Sequence, residues 1–203
     1  MNSKMTFAGG AAALAALALA STGAAQSAPP PVVNGPPISG LCIVSVNQAI
    51  STSTVGKYVG QRMDQLVQQV KAELAPEEAS ITTDGRALDA ARPTLDAASF
   101  DRRATALRGR IQALQEKEAL RQKEIQATEQ KSVNRIAQEL DPLVRQLYQQ
   151  NHCSALLDKG SVLMANPAMD LTPAAITGLN GRIQQFAIER EHLETPAAAA
   201  PGR

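Results

Sequence analysis

Apolar residues change their spacing twice along the chain, and the three regimes predict three kinds of structure. Leu41-Cys42-Ile43-Val44-Ser45-Val46 is a short, mostly apolar run rich in β-branched residues, the pattern of a buried strand. From about Val55 to Gln150 the chain turns polar, and its apolar residues thin to a helical stripe. Val59, Met63, Leu66, Val70 and Leu74 recur at intervals of four, three, four and four, which marks one narrow face of a helix. The hydroxyls of Ser51-Thr52-Ser53-Thr54 suit its N-cap. Ile81, Leu88 and Leu95 continue the stripe more sparsely. Leu107, Ile111, Leu114, Ile125, Ile136, Leu140, Leu143 and Leu147 then draw a second, nearly heptad stripe, interrupted at Glu118 and Arg121. Between the two, Pro93 disfavours helix at the residue before it, which places a tip at Pro93 to Ser99 with a new helix starting near Ser99. Pro76, followed by Glu77-Glu78, reads as a helix restart, and Pro142 as a kink.

After Asn151 the period shortens again. Ser154 to Asp158 and Ser161 to Ala165 bracket Lys159-Gly160, predicting a tight β-hairpin. Asn166-Pro167 is a turn. Thr172 as N-cap and Pro173 at the first helical position announce a closing helix whose apolar face is Ile176, Leu179, Ile183 and Phe186. A polar arm flanked by strands that return to one small sheet must fold back on itself. The predicted fold is therefore α+β: a long α-helical hairpin projecting from a small β-sheet body. Residues 41–50 and 152–192 form that body, and residues 55–150 the hairpin arm.

The ends of the chain read differently. Lys4, the Ala- and Leu-rich run from Ala8 to Ala20, and Gly23-Ala24-Ala25 have the layout of a cleavable signal peptide over residues 1–25. Residues 26–40 hold five prolines within Pro29 to Pro37 and read as an extended or disordered leader, and residues 195–203 as a disordered tail. The apolar run is short for a membrane span, and Cys42 lies too far beyond it for a lipoprotein anchor. The expected location is the periplasm. Export exposes Cys42 and Cys153 to an oxidising compartment. If their strands run parallel and adjacent, the strand starts lie side by side and a disulfide can close; two buried unpaired thiols are the alternative.

Composition narrows the function. Aromatic residues make up 2% of the chain and Trp is absent, so no aromatic-rich core or deep aromatic pocket is available. A formal net charge of +1 gives no electrostatic case for nucleic acid. His152 and His192 are the only histidines, without metal-ligand spacing, and no phosphate loop or Gly-x-Ser-x-Gly occurs. His152 beside Cys153 suggests a base and nucleophile, but neighbours on an extended segment point to opposite faces. No cofactor, metal or catalytic residue is expected, and the chain does not read as an enzyme.

The order of the pieces resembles the Skp/OmpH family of periplasmic chaperones. The resemblance rests on Ile43-Val44-Ser45-Val46 with Gly56-Lys57, on Ala155-Leu156-Leu157-Asp158 leading into Val162-Leu163-Met164-Ala165-Asn166-Pro167, and on Asp170-Leu171-Thr172 with Leu179-Asn180. It covers about Leu41 to Phe186. It implies a homotrimer whose body is a barrel-like core of strands from three subunits, here built on Ile43, Val44, Val46, Leu156, Leu157, Val162, Leu163 and Met164. It also implies three tentacles around a cavity that holds unfolded outer-membrane proteins without ATP; it does not assign the client-binding residues. Trimerisation has independent support, since two or three strands and one helix are too few to bury their own apolar faces. Pro76, Gly85, Pro93 and Pro142 are candidate flex points of the arm. Arg86, Arg92, Arg102, Arg103, Arg108 and Arg110 gather near the tip among Asp84, Asp89, Asp96 and Asp101. They read either as solvated helix charges or as a weak membrane or lipopolysaccharide contact. A periplasmic adaptor or envelope spacer is the rival reading, although only about a dozen strand residues follow the arm. A coiled coil without a client would need longer unbroken heptads than these prolines permit.

Overall fold

The structure, a computed structural model, describes residues 33–194. The predicted signal peptide, residues 26–32 of the predicted leader and the tail from 195 lie outside the described residues. Strand β1 (Leu41–Val44) leads into a short helix α1 (Val46–Thr52), the long helices α2 (Thr54–Ala91) and α3 (Ala97–Gln150), strand β2 (Ala155–Asp158) and helix α4 (Thr172–Arg182). Helices α2 and α3 pack along each other as the hairpin arm. Their 38 and 54 residues correspond to about 57 and 81 Å of helix at 1.5 Å per residue.

Local chemistry sets the ends of the arm. The Ser53 hydroxyl accepts from the Gly56 N–H at 3.1 Å and opens α2, and the Asp96 carboxylate accepts from the Ser99 N–H at 2.9 Å and opens α3. The turn lies at residues 92–96, where the Arg92 guanidinium sits 5.4 Å from the Phe100 ring centre. Gly56 is where α2 passes the end of α1, and a Cβ there would overlap the Ile50 carbonyl oxygen.

Neither proline inside the arm divides it. The chain passes through Pro76 and Pro142 without leaving the helix, so the restart expected at Pro76 is absent. Both prolines are exposed, as are Ala72 and Gln138, whose carbonyls lose a partner, so water takes up the missing bonds.

The body holds less sheet than expected. β1 pairs with β2 in parallel, Leu41 opposite Ala155 through Val44 opposite Asp158. Lys159–Ser161 forms a single 3₁₀ turn capped by the Asp158 carboxylate, which accepts from the Gly160 N–H at 2.8 Å. Val162 to Ala165 forms no strand, so the predicted hairpin is replaced by one strand and a turn. Among the described residues Leu163 and Met164 stand exposed. On the other side of β1, Ile43 bridges to Asp170, and its carbonyl accepts from the Leu171 N–H at 2.8 Å. Thr172 lies within the first turn of α4 rather than capping it; its hydroxyl oxygen accepts from the Ser45 N–H at 2.8 Å and ties α4 to the end of β1.

One core runs from the body into the arm. Val44, Ala49, Val55, Val59, Leu66, Ile136, Leu140, Ala175, Leu179 and Ile188 form it, and Cys42, Cys153 and Leu171 form a smaller cluster beside it. Cys42 and Cys153 are joined by a disulfide with their Cα atoms 5.8 Å apart. The closing helix ends at Arg182, before Ile183 and Phe186. From there the chain leaves the body as a non-helical strap, residues 183–194, that lies along the proximal arm.

Candidate functional site

The arm carries two surfaces of different character, and the strap divides them. In the proximal half the buried positions of α3 are not all apolar. Glu124, Thr128 and Ser132, at i, i+4 and i+8, are buried on the same face as Ile136 and Leu140. The short side chains of Thr128 and Ser132 leave room for another piece of chain, and the strap lies there. Ile188 is buried, with 6% of its surface exposed, in the core. The Glu191 N–H donates to the Thr128 hydroxyl at 2.9 Å and the Leu193 N–H to the Glu124 carboxylate at 3.2 Å. On the other wall the Arg62 Nε donates to the Ile188 carbonyl at 3.1 Å.

Charge closes this arrangement. The Glu124 side chain is 1% exposed and meets Arg121 at 3.0 Å and Arg190 at 3.3 Å. Glu73, on α2, meets the same two guanidinium groups at 2.8 and 2.9 Å. Two carboxylates and two arginines thus join α2, α3 and the strap at one level of the arm. The Arg121 hydrogen bond, followed by that of Arg190, outweighs burial and holds the Glu73 carboxyl at about 2, against an ordinary value of 4.5. A carboxyl depressed on folding adds stability above its unfolded value, and that stability drains away as pH falls from about 4.5 through about 2. The thermal midpoint should therefore be flat above pH ~5 and decline steadily below it. Glu73→Gln should show a shallower decline in thermal scans across that range; an unchanged slope would remove Glu73 from the account.

Beyond the strap the arm is a plain two-helix ribbon. Lys117 pairs with Glu77 at 3.3 Å, and Arg110 pairs with Asp84 while also donating to the Ser80 hydroxyl at 2.9 Å. Leu88 and Leu107 line a groove of about 280 Å³ between the helices near the tip. Several tip arginines are engaged locally: Arg110 on Asp84, Arg92 on Phe100, and Arg102 on the Ser99 hydroxyl at 2.9 Å. Among the described residues, Arg86 and Arg103 make no ion pair.

The body residues singled out in the sequence fall into two groups. Ile43 and Val44 are buried within one chain. Leu156 and Val162 are half-buried, while Val46, Leu157, Leu163 and Met164 are exposed. Among the described residues, the edge of β2 away from β1 has no strand partner. Cys153 is bonded to Cys42 and so holds no thiol for His152 to activate; His152 itself adopts a left-handed turn (φ 52°) rather than an extended conformation. No group of three or more His, Cys, Asp and Glu side chains among the described residues is placed to hold a metal ion. No described helix is long and apolar enough to cross a membrane.

The strap is the feature that periodicity missed. Phe186 fits the end of a helical face, but its spacing of two from Ile188 suits an extended chain equally well. The other signal was the polar triplet Glu124, Thr128 and Ser132, which falls where an apolar seam should continue.

Comparison with known proteins agrees with this architecture. The family described as outer membrane protein (OmpH-like) matches residues 40–179. A crystal structure from Caulobacter crescentus CB15, of a candidate outer membrane chaperone (OmpH-like), superposes with a TM-score of 0.72 at 41% identity, covering 81% of this chain and 97% of that one. No curated protein matches the chain.

Proposed function

The chain belongs to the OmpH-like family of outer membrane proteins, and from that premise we propose that it is a periplasmic holdase that keeps unfolded outer-membrane β-barrel proteins from aggregating, without ATP. The observation that carries this reading is the arm, tens of ångströms of paired helix with a narrow buried seam, whose remaining surface is Gln, Arg, Lys and Glu interspersed with half-buried apolar residues such as Val67, Val70 and Leu120. Such a surface offers many weak contacts and no deep pocket, which suits a client that must stay unfolded and be released intact. Among solved structures, the similar chain from Caulobacter crescentus is described as a candidate outer membrane chaperone.

Three copies of the chain form the working unit in this proposal. Val46, Leu157, Leu163 and Met164 are exposed apolar residues around an open strand edge. An exposed strand edge and an apolar patch are both costly in a monomer, and pooling them among copies removes both. The arms then surround a shared cavity, and the signal peptide delivers the chain to the compartment where the clients pass.

Spreading the client load over the arm has a measurable consequence. Alanine substitution at single exposed or half-buried apolar positions of the arm, such as Ile111, Val67 or Leu120, should change the aggregation of a urea-diluted barrel protein by less than about twofold, because no single contact dominates. Wild-type protein should suppress that aggregation with no nucleotide present. One alanine that abolishes suppression would point to a localised binding site and against a distributed one.

A further inference from the structure

We propose that the strap is a self-ligand: it occupies in cis a groove on the arm that also binds an extended polypeptide segment of a client in trans. This inference rests on the holdase reading and adds to it a place and a recognition rule.

The groove reads main chain. The N–H groups of Glu191 and Leu193, two residues apart, meet Thr128 and Glu124, four residues apart on α3. Four helical residues rise about 6 Å, and two extended residues span about 6.6 Å. A helix carrying side-chain acceptors at i and i+4 is therefore close to register with alternate amides of an extended chain. The opposite wall reads a carbonyl, that of Ile188, through Arg62. Side-chain identity enters most deeply at two strap positions, Ile188 in the core and Arg190 against Glu73 and Glu124, while Ile183 and Phe186 pack half-buried against that core and Glu191 meets Lys131 at the surface. The fitting occupant is an extended segment with an aliphatic residue and, two residues on, a basic one. That rule tolerates most sequences, as a holdase requires.

Release of the strap uncovers the core around Ile188 but leaves neither carboxylate without a partner. Arg121 contacts both Glu73 and Glu124 independently of Arg190, so the buried Glu124 carboxylate keeps a partner when the strap departs. A trough of about 1210 Å³ already runs between the strap and α3, so the strap can be lifted without prising apart α2 and α3. The charge cluster is held from α2, α3 and the strap by Glu73, Arg121, Glu124 and Arg190, with Lys131 on Glu191 at 2.6 Å just beyond.

The test uses a fluorescein-labelled peptide with the sequence of residues 183–194 and the intact chain. The variant Ile188→Asp, Arg190→Ser, which releases the strap, should bind the peptide at least tenfold more tightly than wild type does. A peptide carrying the same two changes should not bind. Equal affinity of wild type and variant for the probe would overturn the proposal. In parallel, hydrogen exchange on the wild type should show the Glu191 and Leu193 amides losing protection when an unfolded barrel protein is bound. If the variant does not retain the wild-type circular dichroism, this second measurement decides alone, and unchanged protection in a soluble client complex overturns the latch while leaving the holdase reading intact. If the barrel protein aggregates regardless, the holdase reading fails and the peptide titration still judges the groove.

Discussion

Cys42→Ser, or reduction of the oxidised protein, should lower the stability of the fold by about 4–5 kcal/mol on the chain-entropy account of a disulfide that closes a loop of 111 residues. The loop contains the whole arm. The bond ties the start of β1 to the residue that precedes β2, so its loss frees both strands of a two-stranded sheet that has little else to fix its register. Leu171 packs on the two cysteines, and the anchor of α4 loosens with them. Urea titration with and without reductant checks this. The midpoint should fall under reduction for wild type and not for a Cys42→Ser, Cys153→Ser variant. A wild type indifferent to reductant would mean that the pairing of β1 and β2 supports itself.

Glu124→Ala should cost about 3 kcal/mol, the lower end of what removing one partner from a buried ion pair costs, because Arg121 and Arg190 keep Glu73 and retain some contact with water. The loss is local first. With Glu124 gone, the Leu193 N–H has no acceptor and Arg190 keeps only Glu73, so the end of the strap beyond Glu191 is held least. The expected signature is early proteolysis near residues 190–194, followed by unfolding at lower denaturant. A variant that replaces the charges together, Glu124→Leu with Arg121→Met and Arg190→Met, should sit closer to wild type than the single alanine, since no buried charge is then left unpaired. A triple variant less stable than Glu124→Ala would show that the ion cluster contributes net stability rather than specificity.

The arm was legible in the sequence because its physics is local. A stripe at 3.6-residue spacing, hydroxyl and carboxylate caps at Ser53 and Asp96, and a proline near the turn each depend on a few neighbouring residues. The errors lie where the outcome depends on something distant. Pro76 does not restart the helix, because its side of α2 faces water, which spacing alone does not reveal. Val162 to Ala165 has the composition of a strand but no strand partner among the described residues. The strap reads as the end of a helix because Ile183 and Phe186 fit a helical face as well as an extended one. Its docking is decided by Glu124, Thr128 and Ser132, more than fifty residues away in the sequence.

A mass measurement on size-separated exported protein, residues 26–203, by light scattering bears most directly on the central claim. It should be made on the protein alone and after mixing with a urea-unfolded outer-membrane barrel protein. The account predicts a particle of three chains that forms a discrete, soluble complex with the client and needs no ATP. A particle of any size that leaves the barrel protein to aggregate would contradict it, and the family architecture would then serve a spacer of the cell envelope rather than a chaperone.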